Sequence, residues 1–267
     1  MTTAPARNSA AVHLVPEGDR AHFGKTVSDL RFGNDGVQIL PPFLDQAWID
    51  AASRLADPLL ASDGDREQAS QRAKPGVRRV LERQPEFVRL LGDRSVIDRL
   101  SEFTGRPLHV VRALLFDKSP DANWLVPWHQ DATIAVARRN DAVPGVSMWT
   151  MKHGTHYCRP PMDVLDGIVC IRLHLDTNDL DNGPLEVIPG SHSRGMLNAQ
   201  QIDDLTRNPT ELVCCVQAGG AVVMRPHIVH RSGVSRDPSR RRRVLHLECA
   251  TVGLPPGLDW AESVRFE

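Results

Sequence analysis

The chain has 267 residues, 41% of them hydrophobic and 24% charged, with a formal net charge of -1. At that length one core can withdraw on the order of three quarters of the chain surface from water, so no covalent staple is required. A near-neutral charge excludes the broad electrostatic attraction on which nucleic-acid and polybasic membrane binders depend, and the four arginines at 240–243 are too short a run to restore it.

Residues 1–25 are mostly small and polar and read as a flexible N-terminal arm, without an apolar stretch suited to a signal peptide. Residues 26–267 read as a single domain. GVQIL at 36–40 has the pattern of a short strand that Pro41 and Pro42 stop, and Asp45 is placed to cap a helix through Trp48, Ile49, Ala52 and Leu55. Residues 75–103 continue in helical period. After Gly105 the period changes to that of strands, at 108–116, 167–176, 184–189, 211–217, 220–226 and 243–251, each bounded by Gly, Pro, Asn or Asp. Many short strands without intervening helices predict an antiparallel sandwich, jelly roll or barrel. Residues 138–166, rich in Gly and Pro, form a long insertion of the kind that serves as a lid or binding loop.

No segment reaches the roughly 20 apolar residues of a membrane span. The five cysteines include no CxxC pair, which indicates neither a disulfide framework nor a zinc ribbon and suits a reducing cytoplasm. They read as core residues.

His129-Gln130-Asp131 sets an imidazole and a carboxylate two residues apart, a spacing that puts both on one face of an extended strand, where one divalent metal can take both. The pattern alone is weak, because such pairs arise by chance in a chain with 11 histidines, and His174-Leu175-Asp176 is a second one. Context lies near the C-terminal end, where a strand leads to His227 and His230, a polar turn follows, and an Arg-rich strand begins. Non-haem Fe(II) oxygenases use two His and one carboxylate on one face of an octahedron, with the other positions open. Residues three apart on a strand face opposite sides, so only one of His227 and His230 is expected to look inward.

WHQD (128–131), DNGPLEVIPGSH (181–192), HRSG (230–233) and RRVLHLE (242–248) together resemble the phytanoyl-CoA dioxygenase-like family of Fe(II)/2-oxoglutarate oxygenases, over residues 36–251. The resemblance implies a mainly β fold with flanking helices: a double-stranded β-helix, the cupin-like jelly roll. It implies a metal triad of His129, Asp131 and His230, with Fe(II), 2-oxoglutarate and O2 as cofactor and cosubstrates. It also implies an Arg on the strand after the distal His that pairs with the far carboxylate of 2-oxoglutarate through two parallel hydrogen bonds. Four consecutive arginines leave the register between Arg241 and Arg242. Arg242 is preferred because it shares a face with Val244, His246 and Glu248. Ser232, in phase with His230, resembles a family hydroxyl that helps hold the cosubstrate.

On the strand at 167–176, Ile168, Cys170, Arg172, His174 and Asp176 share one face and Val169, Ile171, Leu173 and Leu175 the other. Arg and His turned inward describe a reaction chamber. Arg172, and Arg112 on the strand before the HQD, match family positions that contact cosubstrate or substrate; the competing reading for both is a structural ion pair. His174 is read as lining, His227 as lying outside the ligand set, and His153, His156, Trp149, Lys152 and Tyr157 as residues of the insertion loop.

The implied reaction is a dioxygenase hydroxylation of a small-molecule metabolite, a biosynthetic tailoring step that releases succinate and CO2. Asp131 supports hydroxylation, since related halogenases replace that carboxylate with a small residue. A cupin-like metal hydrolase or isomerase is the alternative, and it would not require the Arg after the distal His.

Overall fold

The computed structural model describes residues 29–62, 76–119, 123–207, 211–237 and 239–267. The arm expected at 1–25 lies outside them. In chain order the elements are α1 (Phe32–Asp35), β1 (Val37–Leu40), α2 (Gln46–Ala61), β2 (Val77–Arg78), α3 (Val80–Arg83), α4 (Glu86–Leu91), α5 (Arg94–Thr104), β3 (Leu108–Lys118), β4 (Val126–His129) and β5 (Ile134–Val136). There follow β6 (Ser147–Lys152), β7 (Thr155–Arg159), α6 (Met162–Asp166), β8 (Ile168–His174), β9 (Leu185–Val187), α7 (Ala199–Thr206), β10 (Leu212–Cys214), β11 (Ala221–Met224), β12 (His230–Ser232), β13 (Arg242–Ala250) and β14 (Val264–Phe266).

Local chemistry sets the helical first third. The Asp45 carboxylate accepts from the Trp48 amide at 2.8 Å and starts α2. The helical run expected over 75–103 is instead three short helices preceded by β2. Pro85 and Gly92 interrupt it, and the Asp93 side chain caps α5 by accepting from Ser95 N at 2.9 Å. Gly76 lies so close to β3 that a Cβ there would meet the Leu115 carbonyl oxygen at 2.6 Å, which lets β2 add to the sheet.

The strands pair antiparallel throughout the described residues, in the order β1-β11-β8-β13-β3-β14 with β2 also on β3, then β10-β9-β12-β4, then β5-β7-β6. The large sheet is two-sided. Its outer face, with Val169, Ile171, Leu173, Leu245, Leu247 and Cys249, packs against α2 to α5 in one apolar cluster. Its inner face joins Leu185, Val187, Leu212 and Cys214 of the smaller sheet in a second cluster. This is the predicted jelly roll, and the alternation along β8 falls as the sequence indicated, apolar outward and Arg172 and His174 inward. A register shift on β3 sets Arg112 opposite Glu248 and Val110 opposite Cys249, leaving Val111 unpaired. That bulge turns both Val111 and Arg112 into the barrel.

The insertion at 138–166 is ordered structure: β6 and β7 form a hairpin that adds to β5, and α6 returns the chain to β8. Tyr157 is buried there, and its ring lies 5.1 Å beneath the Arg112 guanidinium, so it is a wall of the barrel and not a loop residue. Of the cysteines, Cys215 is half-buried and the other four are buried; none forms a disulfide. Among the described residues no helix is long and apolar enough to cross a membrane.

Candidate active site

Antiparallel pairing of β12 with β4 sets His230 directly opposite His129. Asp131 lies beyond the end of β4, where its amide donates to the Pro226 carbonyl at 3.0 Å. One side-chain ligand atom from each of the three lies within 4.8 Å of the others. Nε2 of His129 is 3.6 Å from one Asp131 oxygen and Nε2 of His230 is 3.7 Å from the other, distances that surround a shared point without hydrogen-bonding across it.

Each imidazole is oriented from behind. His129 Nδ1 donates to the Pro127 carbonyl at 2.9 Å and His230 Nδ1 to the Ile228 carbonyl at 2.8 Å. Since a carbonyl can only accept, each Nδ1 carries a proton and each Nε2 faces the shared point. Burial, helped by neighbouring His129, pushes His230 down to about 4, so it is neutral at physiological pH. Burial works to raise Asp131, but His129 and His230 outweigh it and hold the carboxylate well below its usual range. At His129 burial is outweighed by the Asp131 carboxylate, which shifts the imidazole up, so a metal would displace a proton from its Nε2. Two imidazole nitrogens and one ionised carboxylate are a donor set that suits Fe(II).

Gln130, between His129 and Asp131, faces the other way. It donates to the carbonyls of Gly195 at 2.9 Å and His227 at 2.6 Å and accepts from Leu197 N at 2.7 Å. It therefore ties the strand end to two loops and fixes where His129 and Asp131 stand.

Deeper in the barrel, Arg242 and Lys118 are cross-strand neighbours on the inner face, both almost completely buried. Like charges placed so are costly, on the order of 3 kcal/mol for unit charges about 5 Å apart at an effective dielectric of about 20. No described carboxylate pairs with either. Arg242 donates to the Gly183 carbonyl at 2.6 Å, and its Nε is buried without a partner. Lys118 donates to Ser232 Oγ at 2.9 Å and to the Gly233 carbonyl. Arg172 reaches His246 Nδ1 at 3.3 Å and lies 5.4 Å over the Phe116 ring, again with an unpartnered buried Nε. Burial and the charges of Arg242 and Arg172 push Lys118 down to about 7; burial, then Arg172, lowers Arg242. Arg241 has the opposite environment: it points outward and bonds Asp57 at 3.1 Å and Asp117 at 2.9 Å.

The phytanoyl-CoA dioxygenase (PhyH) family model matches residues 32–243. The chain belongs to that family. It is an Fe(II)- and 2-oxoglutarate-dependent oxygenase. No curated protein matches the chain. Among solved structures, apo EctD from S. alaskensis matches with a TM-score of 0.60 at 18% identity, over 82% of this chain and 74% of that one. AviO1 from Streptomyces viridochromogenes Tue57 gives 0.59 at 23%, over 85% and 94%. SnoK, described as a non-heme alpha ketoglutarate dependent carbocyclase from nogalamycin biosynthesis, gives 0.60 at 15%, over 91% and 88%. At these identities the likeness speaks for the PhyH fold.

The other residues singled out in this PhyH chain fall into place as follows. Arg112 is ion-paired with Glu248 at 2.7 Å, and the Arg112 charge holds Glu248 down against burial, which is the structural pair of the competing reading. Asp176 sits past the end of β8 and bonds Arg243 through both carboxylate oxygens, at 2.8 and 2.9 Å, which removes it from any metal pair with His174. His174 is buried with both ring nitrogens unpartnered, and burial with Arg172 and Arg242 nearby keeps it neutral. His227 lies in the turn before β12, so strand alternation does not apply to it; it faces Asp166, Nε2 to Oδ1 3.2 Å. Sequence reasoning passed over Lys118 and Gln130. Lys118 was legible: it continues the face of Arg112, Leu114 and Phe116 two residues past the strand as drawn from sequence. Gln130 carried no such signal, since its partners come from loops remote in the chain.

Proposed function

We propose that His129, Asp131 and His230 hold Fe(II) and that Arg242, with Lys118 and Ser232 beside it and Arg172 on the neighbouring strand, receives the far carboxylate of 2-oxoglutarate. The enzyme then hydroxylates a carbon of a small metabolite in a biosynthetic tailoring step. The observation that carries this reading is the pairing of a converged His/Asp/His set with buried, uncompensated cations inside the same barrel. A protein does not keep an Arg opposite a Lys in its interior without an anion to neutralise them. A hydrolase or isomerase on the same ligands has no use for that second feature. A cytoplasmic location goes with five cysteines that form no disulfide.

Bound iron, 2-oxoglutarate and O2 together supply the oxidant, converting a substrate C–H to C–OH as the cosubstrate leaves as succinate and CO2. The chain's own part is orientation. Pro127 and Ile228 carbonyls fix the imidazoles, Asp131 brings the negative charge, and Gln130 holds the two HQD ligands in register. Arg242, itself held by the Gly183 carbonyl, keeps an unpartnered buried Nε–H for the cosubstrate. Gly183 is required there: its φ is 67°, and a Cβ would meet the Gly233 carbonyl oxygen at 2.6 Å.

The direct test is anaerobic. Purified protein given Fe(II) and then 2-oxoglutarate is expected to develop the weak visible charge-transfer band of a chelated 2-oxo acid, and His230→Ala is expected to lack it. A folded, iron-loaded protein with no band would turn the assignment toward the hydrolase or isomerase.

Lys118 gives that binding a pH dependence with a definite sign. Its ammonium is charged below about 7 and neutral above. Only the charged form attracts the carboxylate, so 2-oxoglutarate affinity is expected to weaken as pH rises from 6.5 to 8.5, by up to about tenfold per unit. In Lys118→Met the affinity is expected to be lower at pH 6.5 and flat with pH; an unchanged slope in that variant would remove Lys118 from the cosubstrate site.

A further inference from the structure

A cavity of about 290 Å³ abuts the triad through His129 and is walled by Trp128, Met196, Leu197 and Ile202, with Arg159 among its lining groups. The four apolar walls are only half-buried, so a ligand seated there would complete their removal from water. Arg159 closes β7, at the end of the hairpin that packs Tyr157 onto Arg112. Its Nε is buried with no hydrogen-bond partner, and no described carboxylate pairs with its guanidinium. Other arginines around the barrel are committed: Arg112 to Glu248, Arg231 to Glu186, Arg243 to Asp176. Asp203 also lines the cavity, but it is exposed on α7, where solvent screens its charge.

Resting on the function proposed above, we infer that Arg159 is the substrate-selecting residue of this oxygenase, and that the substrate carries an acidic group, a carboxylate or phosphate, on an apolar body that fills this cavity next to His129. A guanidinium with free donors beside an apolar wall matches an oxyanion in charge and in fork geometry, and an uncharged isostere would leave it desolvated and unpaired. The position beside His129 holds the apolar body against the metal site while the acid is fixed at the rim.

The test uses the full chain, anaerobic, with Fe(II) and 2-oxoglutarate, and reads intrinsic tryptophan fluorescence, to which Trp128 in the cavity wall contributes. The probes are 3-phenylpropanoate and phenethyl phosphate against methyl 3-phenylpropanoate and phenethyl alcohol. At least one acid is expected to bind at least about tenfold more tightly than its neutral counterpart. Arg159→Gln is expected to bring the two within about twofold and Arg159→Lys to keep part of the preference, since a point charge replaces the fork. Which acid is preferred separates carboxylate from phosphate. No acid preference in the wild type, or a preference that survives Arg159→Gln, overturns the inference. So does loss of the chelate band in Arg159→Gln with the acid preference intact, which would assign the arginine to the cosubstrate. Failure of the wild-type chelate band is a separate readout, and it counts against the proposed function.

Discussion

Asp131→Ala, His129→Ala and His230→Ala are each expected to abolish turnover, with iron affinity reduced by more than about 100-fold, because removing groups that only orient a metal ligand already costs about 10- to 100-fold. The fold should survive the first two with little change. Asp131 and His129 are half-exposed at the barrel mouth, and the Asp131 carboxylate bridges nothing but the shared ligand point. His230 is buried between β4 and β9, so its replacement leaves a small void and some lost stability as well. Iron titration followed by thermal melting separates the two effects. Activity within about tenfold of wild type at saturating iron, in the Asp131 variant, would mean that the carboxylate is not a ligand.

Arg242→Ala is expected to raise the 2-oxoglutarate requirement by about 30- to 4,000-fold, the equivalent of the roughly 2–5 kcal/mol lost when one partner of a buried charge pair is truncated. Arg241→Ala, one residue earlier, is expected to change it by less than about threefold. Its side chain is 41% exposed and makes surface ion pairs, which contribute about 0–1 kcal/mol. The pair of variants discriminates because the two residues differ in face and not in chemistry. A second readout follows from the burial of Arg242 opposite Lys118: Arg242→Met in the protein without cosubstrate is expected to melt at or above the wild-type temperature, since it removes an uncompensated buried charge. Added 2-oxoglutarate should then stabilise the wild type and not the variant. The reverse pattern, with Arg241 controlling the cosubstrate and Arg242 controlling stability, would overturn the assignment.

The proposed metal ligands were legible because the motifs that carry the family resemblance are short and local. HQD, HRSG and the alternation along β8 are statements about neighbours in sequence, and β-strand geometry converts such spacing into a shared face. Alternation also chose Arg242 over Arg241. The same local logic misplaced one residue. His227 was placed on a strand, but the chain turns at 225–229 before β12 begins, and the histidine faces Asp166. Arg112 carried the right orientation, and the ion pair with Glu248 that occupies it depends on a β3–β13 register shift. The helical period over 75–103 was real; Pro85 and Gly92 cut it into pieces that local amphipathicity does not register.

By itself the sequence determined the composition class, most of the strand inventory and the inward faces of β8 and β13, while the proposed His129, Asp131 and His230 set came through its resemblance to the PhyH family. Each of these depends on backbone period or on residue type within a few positions. Tertiary structure alone decided that His129 and His230 are opposite each other, that Lys118 stands across from Arg242 with no described carboxylate to neutralise them, and that Arg159 of a remote hairpin lines the same cavity as His129. Those facts come from register between strands far apart in the chain. Register is set by the total burial of two faces at once, a quantity to which every strand contributes and which no local stretch of residues contains.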